Sequence, residues 1–425
     1  MAVPESLKET WWIGKMDLFS EVLCLLLILV PLAIAYRSIP AESSFAKGAD
    51  EGHYMKYAQD FAQEGPASIS RSLKLYFDTP ELQRFPHPGR FGFTIITGLW
   101  LKAFPDTYRS FAHLSYAAML LFLILSYVFS RRYLGCEVAA LYTLLLACSP
   151  LLMAASRRVL QDSVLHLFWA LPFWLFFEYL MTRRRWAFVG FCLTYIVALT
   201  IKEVSVFLTL FFVVAWLVFK RYYKKDLPWR DFAWVVLVPP LGAAVLYAVF
   251  LGGVGHLFEL VDFLVEAHFT SASNAAFTSY SLFATGPWFK YLLDLLLVAP
   301  WVTILSVGFI FYLIGRRQMG PLHAYGLIFF VVLYALLSSM KFTKIIRFGM
   351  SLEIVTYLFC VLALLHLWRS RNRWGLVAVE GCILFFGFTQ LQFYQKLFIE
   401  MQTYDIITVW MLLAHRIIPY FYMAP

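Results

Sequence analysis

The sequence is poor in charge and lacks the common signatures of nucleotide and metal binding. Only 14% of its 425 residues are charged, 61% are hydrophobic, and the mean hydropathy is +0.71. It contains no GxxxxGK[ST] loop, no CxxC pair and no internal repeat, which argues against a nucleotide-driven machine and a structural zinc site. A chain this apolar is unlike a soluble domain of its size, so the sequence predicts an all-α integral membrane protein.

Long apolar runs fill most of the chain. With roughly 20 residues for each crossing, we expect a single domain over residues 1–425 with eleven spans, near 17–36, 108–130, 137–153, 163–182, 186–201, 204–219, 232–251, 287–314, 323–340, 348–368 and 374–390. No cleavage site follows the first run, which predicts an uncleaved anchor.

Basic clusters lie beside the apolar runs, with room for two crossings between successive clusters. Because positive charge favours the cytoplasmic side, this spacing predicts a multi-pass protein of the inner or plasma membrane with its N terminus in the cytoplasm. Orientation in the membrane therefore explains the net charge of +9, and no nucleic-acid partner is expected.

Three polar segments are expected outside the cytoplasm: the first loop at 37–107, a second loop at 252–286 and an amphipathic tail at 391–425. Within the first loop, the apolar stretch 91–104 is short for a span and predicts a juxtamembrane helix. If this stretch crossed the membrane instead, every later segment would change sides.

The second loop holds acids and histidines at helical spacing: His256, Glu259, Asp262, Glu266 and His268. This spacing predicts the solvated face of a short surface helix. A metal site is the alternative, although the spacing matches no compact ligand signature such as HExxH. No cofactor is expected, and a divalent metal is possible but not indicated.

The acid pair Asp50–Glu51 follows directly on the first apolar run. In an extracytoplasmic loop a carboxylate ionises at little cost and can meet a lipid-borne substrate, so this pair is the first candidate for chemistry. A solvated loop carrying two ordinary acids is the alternative.

Other charges lie at the edges of later spans. Arg158 precedes Asp162 by four residues, which fits either a functional pair or a structural ion pair in which Asp162 and Ser163 cap the next helix. Lys202 lies between two apolar runs, where charge is costly and usually marks a function or a paired partner. A nearby loop acid would be the structural partner of Lys202.

Three cations, Lys341, Lys344 and Arg347, lie on the predicted external side, against the usual bias. A lipid phosphate would explain them, because its negative charge offsets the desolvation cost of cations held at membrane depth. Ordinary headgroup contact is the alternative. Asp294, about two turns into its span, is a secondary candidate for a polar cavity.

Several of these motifs, taken in order, resemble the integral-membrane GT-C glycosyltransferases, in the branch of protein mannosyltransferases and aminoarabinose transferases. The resemblance covers about residues 17–220 and rests on DEGHY, PHPGRFG, SRRYLGCEVAALYTLLLACSPLLMAASRRVLQDSVL and LTIKEVSVF, with KFTKIIRFG in the later half. It implies a GT-C polytopic helical bundle with a large first extracytoplasmic loop carrying juxtamembrane helices.

The resemblance implies an enzyme that moves a sugar from a polyprenyl-phosphate donor to a lipid, protein or polysaccharide acceptor outside the cytoplasm, usually with inversion. It assigns the family's acid pair to Asp50 and Glu51, with Tyr54 completing the DExxY pattern, and the Asp of the family's second external turn to Asp162. Asp50 would act as general base, and Asp162 would orient the loop or the sugar.

The donor phosphate would be held by cations, namely Arg158, Lys202, Lys341, Lys344 and Arg347. Family members often have Lys-Pro-Pro where this chain has His87-Pro88, so their phosphate-binding lysine has no clear counterpart. Arg84, His87 and Arg90 are the candidate substitutes.

Rival functions make different demands on the sequence. A transporter or flippase would place its charges near mid-membrane on broken helices and often repeat its halves, whereas a noncatalytic scaffold would tolerate the loss of Asp50. A lipid-linked glycan polymerase or ligase is a further alternative within the enzymes.

Overall fold

The computed structural model describes residues 18–42, 50–79, 81–82, 86–265, 286–316, 319–340, 344–368 and 373–400, and every regular element within them is helical. In chain order the helices are α1 (Leu18–Arg37), α2 (Asp50–Glu64), α3 (Ala67–Asp78), α4 (Phe91–Ala103), α5 (Tyr108–Leu134), α6 (Cys136–Ala147), α7 (Pro150–Ser156), α8 (Asp162–Thr182), α9 (Arg185–Ile201), α10 (Phe207–Arg221), α11 (Trp229–Leu251), α12 (Val254–Val265), α13 (Lys290–Val298), α14 (Pro300–Gly315), α15 (Pro321–Ser339), α16 (Ile346–Gly349), α17 (Glu353–Leu367) and α18 (Arg373–Tyr394). Short 3₁₀ or π turns occupy Glu203–Val206, Met350–Leu352 and Gln395–Glu400.

Seven helical segments of the described chain are long and apolar enough to cross a membrane: Tyr108–Leu134, Asp162–Thr182, Glu203–Arg221, Trp229–Leu251, Pro321–Ser339, Ile346–Leu367 and Trp374–Glu400. The bent pair α6–α7 would make an eighth. Shorter apolar helices lie at Phe91–Ala103, Arg185–Ile201 and Pro300–Gly315. The all-helical, multi-pass class is thus confirmed, whereas the count of eleven spans stays a prediction.

Two predicted spans are each divided into two helices. The run predicted at 287–314 consists of α13 and α14, which meet at Ala299. Proline disfavours the α conformation in the residue before it but suits the first position of a helix, so Pro300 ends one helix and begins the next. The run predicted at 137–153 breaks in the same way before Pro150, where α6 and α7 meet at an angle of 62°.

The helices pack as two compact units. Met1–Arg37, Leu123–Ala154 and Ala267–Pro425 form the first unit, and Ser38–Phe122 with Ala155–Glu266 form the second. The second unit contains most of the candidate site residues, and its construction decides where they lie.

Within the first unit, α6 packs against α17 and buried polar contacts join them. The Tyr142 hydroxyl donates to the carbonyl oxygen of Ile354 at 2.9 Å. The Ser149 hydroxyl lies 2.8 Å from both carboxylate oxygens of Glu353, which is fully buried at the start of α17. These contacts satisfy polar groups that would otherwise be costly to bury.

Within the second unit, α2 lies against α4. Its buried residues recur every three or four positions, at Glu51, Tyr54, Ala58 and Phe61, so they form one face of the helix. Gly98 of α4 permits the close approach, since a β-carbon there would lie 2.4 Å from Cδ1 of Phe61.

A second glycine sets α4 against the end of α9. A β-carbon on Gly92 would lie 2.3 Å from Oγ1 of Thr200 and 2.8 Å from the carbonyl carbon of the same residue. Because that carbon belongs to the backbone, a side chain at 92 would force the two helices apart. The glycine therefore brings the start of α4 next to the Lys202–Glu203 turn that follows α9.

Orientation in the membrane is a prediction open to direct measurement. We expect residue 70, in α3, to face the extracytoplasmic side and residue 185, at the start of α9, to face the cytoplasm. Both Ser70 and Arg185 are exposed, so Ser70→Cys and Arg185→Cys can be labelled in sealed vesicles with a membrane-impermeant maleimide. The parent protein gives the background from its own cysteines. Labelling of both positions from the same side would contradict the predicted topology.

Candidate active site

The acid pair opens helix α2, and the two acids have different surroundings. Asp50 is the first residue of the helix and is partly exposed. Glu51 is 1% exposed and belongs to the buried face of α2. Neighbouring residues on a helix point about 100° apart, so one acid faces the interior of the unit while the other stays at its margin.

Glu51 is the centre of a buried polar cluster. Arg158, in the turn between α7 and α8, donates from Nε to Oε1 at 2.7 Å and from Nη2 to Oε2 at 2.9 Å. The Tyr108 hydroxyl and the Val159 amide also donate to Oε1, at 2.8 and 3.1 Å. This bidentate pairing of guanidinium and carboxylate is a strong form of charged hydrogen bond. Together with the contacts from Tyr108 and Val159, it gives Glu51 four donated hydrogen bonds.

A second cluster lies three residues further along the buried face of α2. Arg90 donates from Nε and Nη2 to the two oxygens of Glu203, at 3.0 and 2.6 Å, and from Nη1 to the Tyr54 hydroxyl at 2.6 Å. Nε2 of the buried His87 lies 3.4 Å from the same carboxylate. The Tyr57 hydroxyl donates to the carbonyl oxygen of Pro86 at 3.0 Å, which ties the PHPGR segment to α2.

Electrostatics keep Arg90 charged in this setting. Burial alone would lower its pKa, but the Glu203 carboxylate and the Tyr54 oxygen offset this effect and hold the pKa well above the usual range. The guanidinium is therefore a permanent cation.

A third ion pair joins α8 to the turn after α9. Nζ of Lys202 donates to Oδ1 of Asp162 at 2.9 Å, and the two residues are 1% and 2% exposed. The expectation that Asp162 and Ser163 cap α8 is wrong, because Gln161 occupies the cap position without a side-chain hydrogen bond and Asp162 is already helical. Its carboxylate turns to Lys202 instead.

The counter-ions of Arg158 and Lys202 lie far from them in the sequence. Arg158 pairs with Glu51, 107 residues away. Lys202 pairs with Asp162, 40 residues away. In each case the tertiary fold, and not the local sequence, supplies the counter-ion.

The predicted cationic segment belongs to the first unit. Lys344 is buried and its ammonium donates to the carbonyl oxygen of Gly286 at 2.8 Å. The buried Lys290 donates to the Lys344 carbonyl oxygen and lies 3.4 Å from Asp294. Arg347 is partly exposed on α16. Lys341 and Arg84, also predicted to bind phosphate, lie outside the described residues.

The second loop begins with the short helix that its spacing predicts. Helix α12 exposes His256, Glu259 and Asp262, and Nδ1 of His256 lies 3.0 Å from Glu259. Glu266 and His268 fall outside the described residues. In the part of the chain that the structure describes, no three His, Cys, Asp or Glu side chains are grouped as metal ligands would be.

Sequence reasoning missed Tyr108 and gave no role to Glu203. Glu203 offered a signal, since an acid between two apolar runs calls for a partner as much as Lys202 does. Tyr108 offered none, because a tyrosine at the start of a predicted span suits a membrane interface equally well.

Comparison with known proteins agrees with this architecture. The profile of the family described as Dolichyl-phosphate-mannose-protein mannosyltransferase matches residues 87–252. No curated protein matches the sequence. Among solved structures, ArnT from Cupriavidus metallidurans bound to undecaprenyl phosphate is similar with a TM-score of 0.57 and 13% identity, over 90% of this chain and 73% of that one.

The oligosaccharyltransferase of Archaeoglobus fulgidus is also similar. Its apo form aligns with a TM-score of 0.61 at 12% identity, over 90% of this chain and 56% of that one. Its AglB complex with an inhibitory peptide and a dolichol-phosphate gives 0.60 at 12% identity, over 89% and 56% of the two chains. This chain thus spans little more than half of the archaeal protein. The chain therefore shares the fold of these glycosyltransferase structures, and residues 87–252 are similar to the mannosyltransferase family.

Proposed function

We propose that this protein transfers a sugar from a polyprenyl-phosphate carrier to an acceptor hydroxyl on the extracytoplasmic side of the membrane, with Asp50 as general base. The observation that supports this choice of base is the contrast within the acid pair. Glu51 is buried and holds four donors, whereas Asp50 is partly exposed at the first position of α2. A general base needs room for the hydroxyl whose proton it takes.

The reaction is a single displacement. The acceptor oxygen attacks the anomeric carbon while its proton passes to the Asp50 carboxylate, and the bond from that carbon to the phosphate oxygen breaks with its electron pair. Polyprenyl phosphate leaves as an anion, so no general acid is required if cations receive the charge. Attack opposite to the leaving group inverts the anomeric centre.

The matching family and the similar structures support a lipid-phosphate carrier. The matching profile is named for dolichyl-phosphate-mannose, and the similar ArnT and AglB structures hold undecaprenyl phosphate and a dolichol-phosphate. For this chain, Lys344 and Arg347 are the candidate phosphate ligands among the described residues, since they are basic residues three positions apart and Arg347 is partly exposed on α16. The acceptor is a lipid, a protein or a polysaccharide.

Release of the carrier tests the proposed function. Purified protein is incubated with a panel of polyprenyl-phosphate sugars and an acceptor extract, and free polyprenyl phosphate is measured. We expect one donor of the panel to be consumed by the wild-type protein and left intact by Asp50→Asn. Equal release with both proteins would exclude the proposed chemistry, and transport of an intact lipid-linked sugar across vesicles would favour a flippase.

The role of the cationic segment is tested by donor affinity. Arg347→Glu replaces an attractive charge by a repulsive one, and we expect it to raise the donor Kd by about tenfold or more. Lys225→Glu, in the predicted cytoplasmic turn before α11, is the matched charge reversal and should leave Kd unchanged. Titration of a fluorescent polyprenyl-phosphate sugar measures both variants. Small and equal changes would remove Arg347 from the phosphate site.

A further inference from the structure

Six charged side chains of the second unit form three ion pairs, which the backbone connects into one closed circuit. Glu51 pairs with Arg158, Asp162 pairs with Lys202, and Glu203 pairs with Arg90. The chain itself supplies the links between pairs, because Arg158 and Asp162 are four residues apart and Lys202 adjoins Glu203.

Tyr54 closes the circuit. It accepts a hydrogen bond from Arg90 at 2.6 Å and lies three residues after Glu51, so the circuit begins and ends on the same face of α2. Acid and base alternate around it, which makes its three acids and three bases neutral as a set. We call these six charged residues and Tyr54 the ion-pair ring.

We propose that the ion-pair ring holds the first turn of α2, and with it Asp50, in the position that transfer requires, and that its cations do not bind the donor phosphate. This inference rests on the proposed function of Asp50. It makes Glu51, Tyr54, Arg90, Arg158, Asp162, Lys202 and Glu203 positioning residues.

Burial and geometry support this assignment over the expected phosphate contacts. Arg158 and Arg90 each present a two-pronged guanidinium to a carboxylate of the ring. Lys202 is 1% exposed beside Asp162. A phosphate could replace these carboxylates only by leaving a buried acid without its counter-ion, which is strongly unfavourable.

The place of Asp50 gives the ring a function. Asp50 directly precedes Glu51. The arginines of the ring hydrogen-bond to α2 at Glu51 and again at Tyr54, close to the start of the helix. Anchoring a helix at two points one turn apart fixes its axis and its rotation, and therefore the direction of the side chain that opens it. A reacting group misplaced by about 1 Å can lose about a hundredfold in rate.

The double variant Asp162→Asn/Lys202→Met tests the ring without leaving an unpaired charge. We expect kcat to fall by about tenfold or more while the donor Kd changes by less than about twofold. Hydrogen exchange over residues 50–57 should be faster by about tenfold, with exchange in α17 unchanged. Gln59→Ala is the control on the same helix, because the Gln59 amide donates to the exposed Asp106 carboxylate, at 2.9 and 3.0 Å, and, among the described residues, to no member of the ring. It should keep the wild-type kcat.

Arg158→Lys and Arg90→Lys supply a second test, since lysine keeps the charge but loses the two-pronged geometry. Positioning predicts that both variants lower kcat and retain the donor Kd. A donor Kd raised by about tenfold or more with unchanged exchange in α2 would overturn the proposal and assign these cations to the phosphate. Wild-type kcat and exchange in the double variant would overturn it too. Exchange is measured without turnover, so it decides whether the ring holds α2 even if the wild-type protein transfers no sugar.

Discussion

Asp50→Asn is expected to abolish sugar transfer while leaving the folded protein and its donor affinity intact. The amide is nearly isosteric with the carboxylate and keeps its hydrogen-bonding capacity, but it cannot accept the proton of the acceptor hydroxyl. Loss of a general base costs about a hundredfold in rate or more. Since Asp50 is partly exposed, the free energy of unfolding should change by no more than about 0.5 kcal/mol. Turnover is measured by release of polyprenyl phosphate under saturating donor.

Glu51→Gln is the adjacent control, and it separates chemistry from position. If Glu51 acts through the ion-pair ring, its amide variant should lose part of its activity together with stability, because Arg158 loses its counter-ion. Asp50→Asn should instead lose activity alone. Full activity of Asp50→Asn would refute the assignment of the base. If Glu51→Gln alone were inactive and equally stable, the base would be the next residue along the chain.

The positions of most helices could be predicted from the sequence because long apolar runs are bounded by charge. The run predicted at 163–182 is α8, Asp162–Thr182, and the run predicted at 232–251 ends where α11 ends. The division of the run at 287–314 was missed although Pro300 marks it. A hydropathy average over a whole span does not register one residue that interrupts the backbone hydrogen bonds.

The candidate site could be predicted by residue but not by pairing. The sequence identifies Glu51, Arg158, Asp162 and Lys202 as charges that need a partner or a function, because charge beside apolar runs is costly. It cannot tell which acid meets which base, since the partners are 40 and 107 residues apart. A buried cation with a distant counter-ion and a cation that awaits a phosphate look the same in one sequence. In the structure Arg158 meets Glu51 and Lys202 meets Asp162.

The largest loss of stability should follow from Glu51→Ala. This substitution removes the acceptor of four hydrogen bonds and leaves the buried Arg158 guanidinium without its carboxylate. Breaking a buried ion pair by removing one partner costs about 3–5 kcal/mol. Unfolding of the purified protein in mixed micelles, titrated with a denaturing detergent, measures the change against the wild-type protein.

The double variant Glu51→Met/Arg158→Met decides whether the loss comes from the unpaired charge. Replacing both partners of a buried pair by apolar groups of similar volume is often neutral for stability, so the double variant should recover most of what Glu51→Ala loses. Its activity should stay low, because α2 would be packed without the anchor that directs Asp50. If the double variant were as unstable as Glu51→Ala, the loss would come from packing around Tyr108 and Val159. If it were stable and fully active, Glu51 would contribute neither charge balance nor position to the reaction.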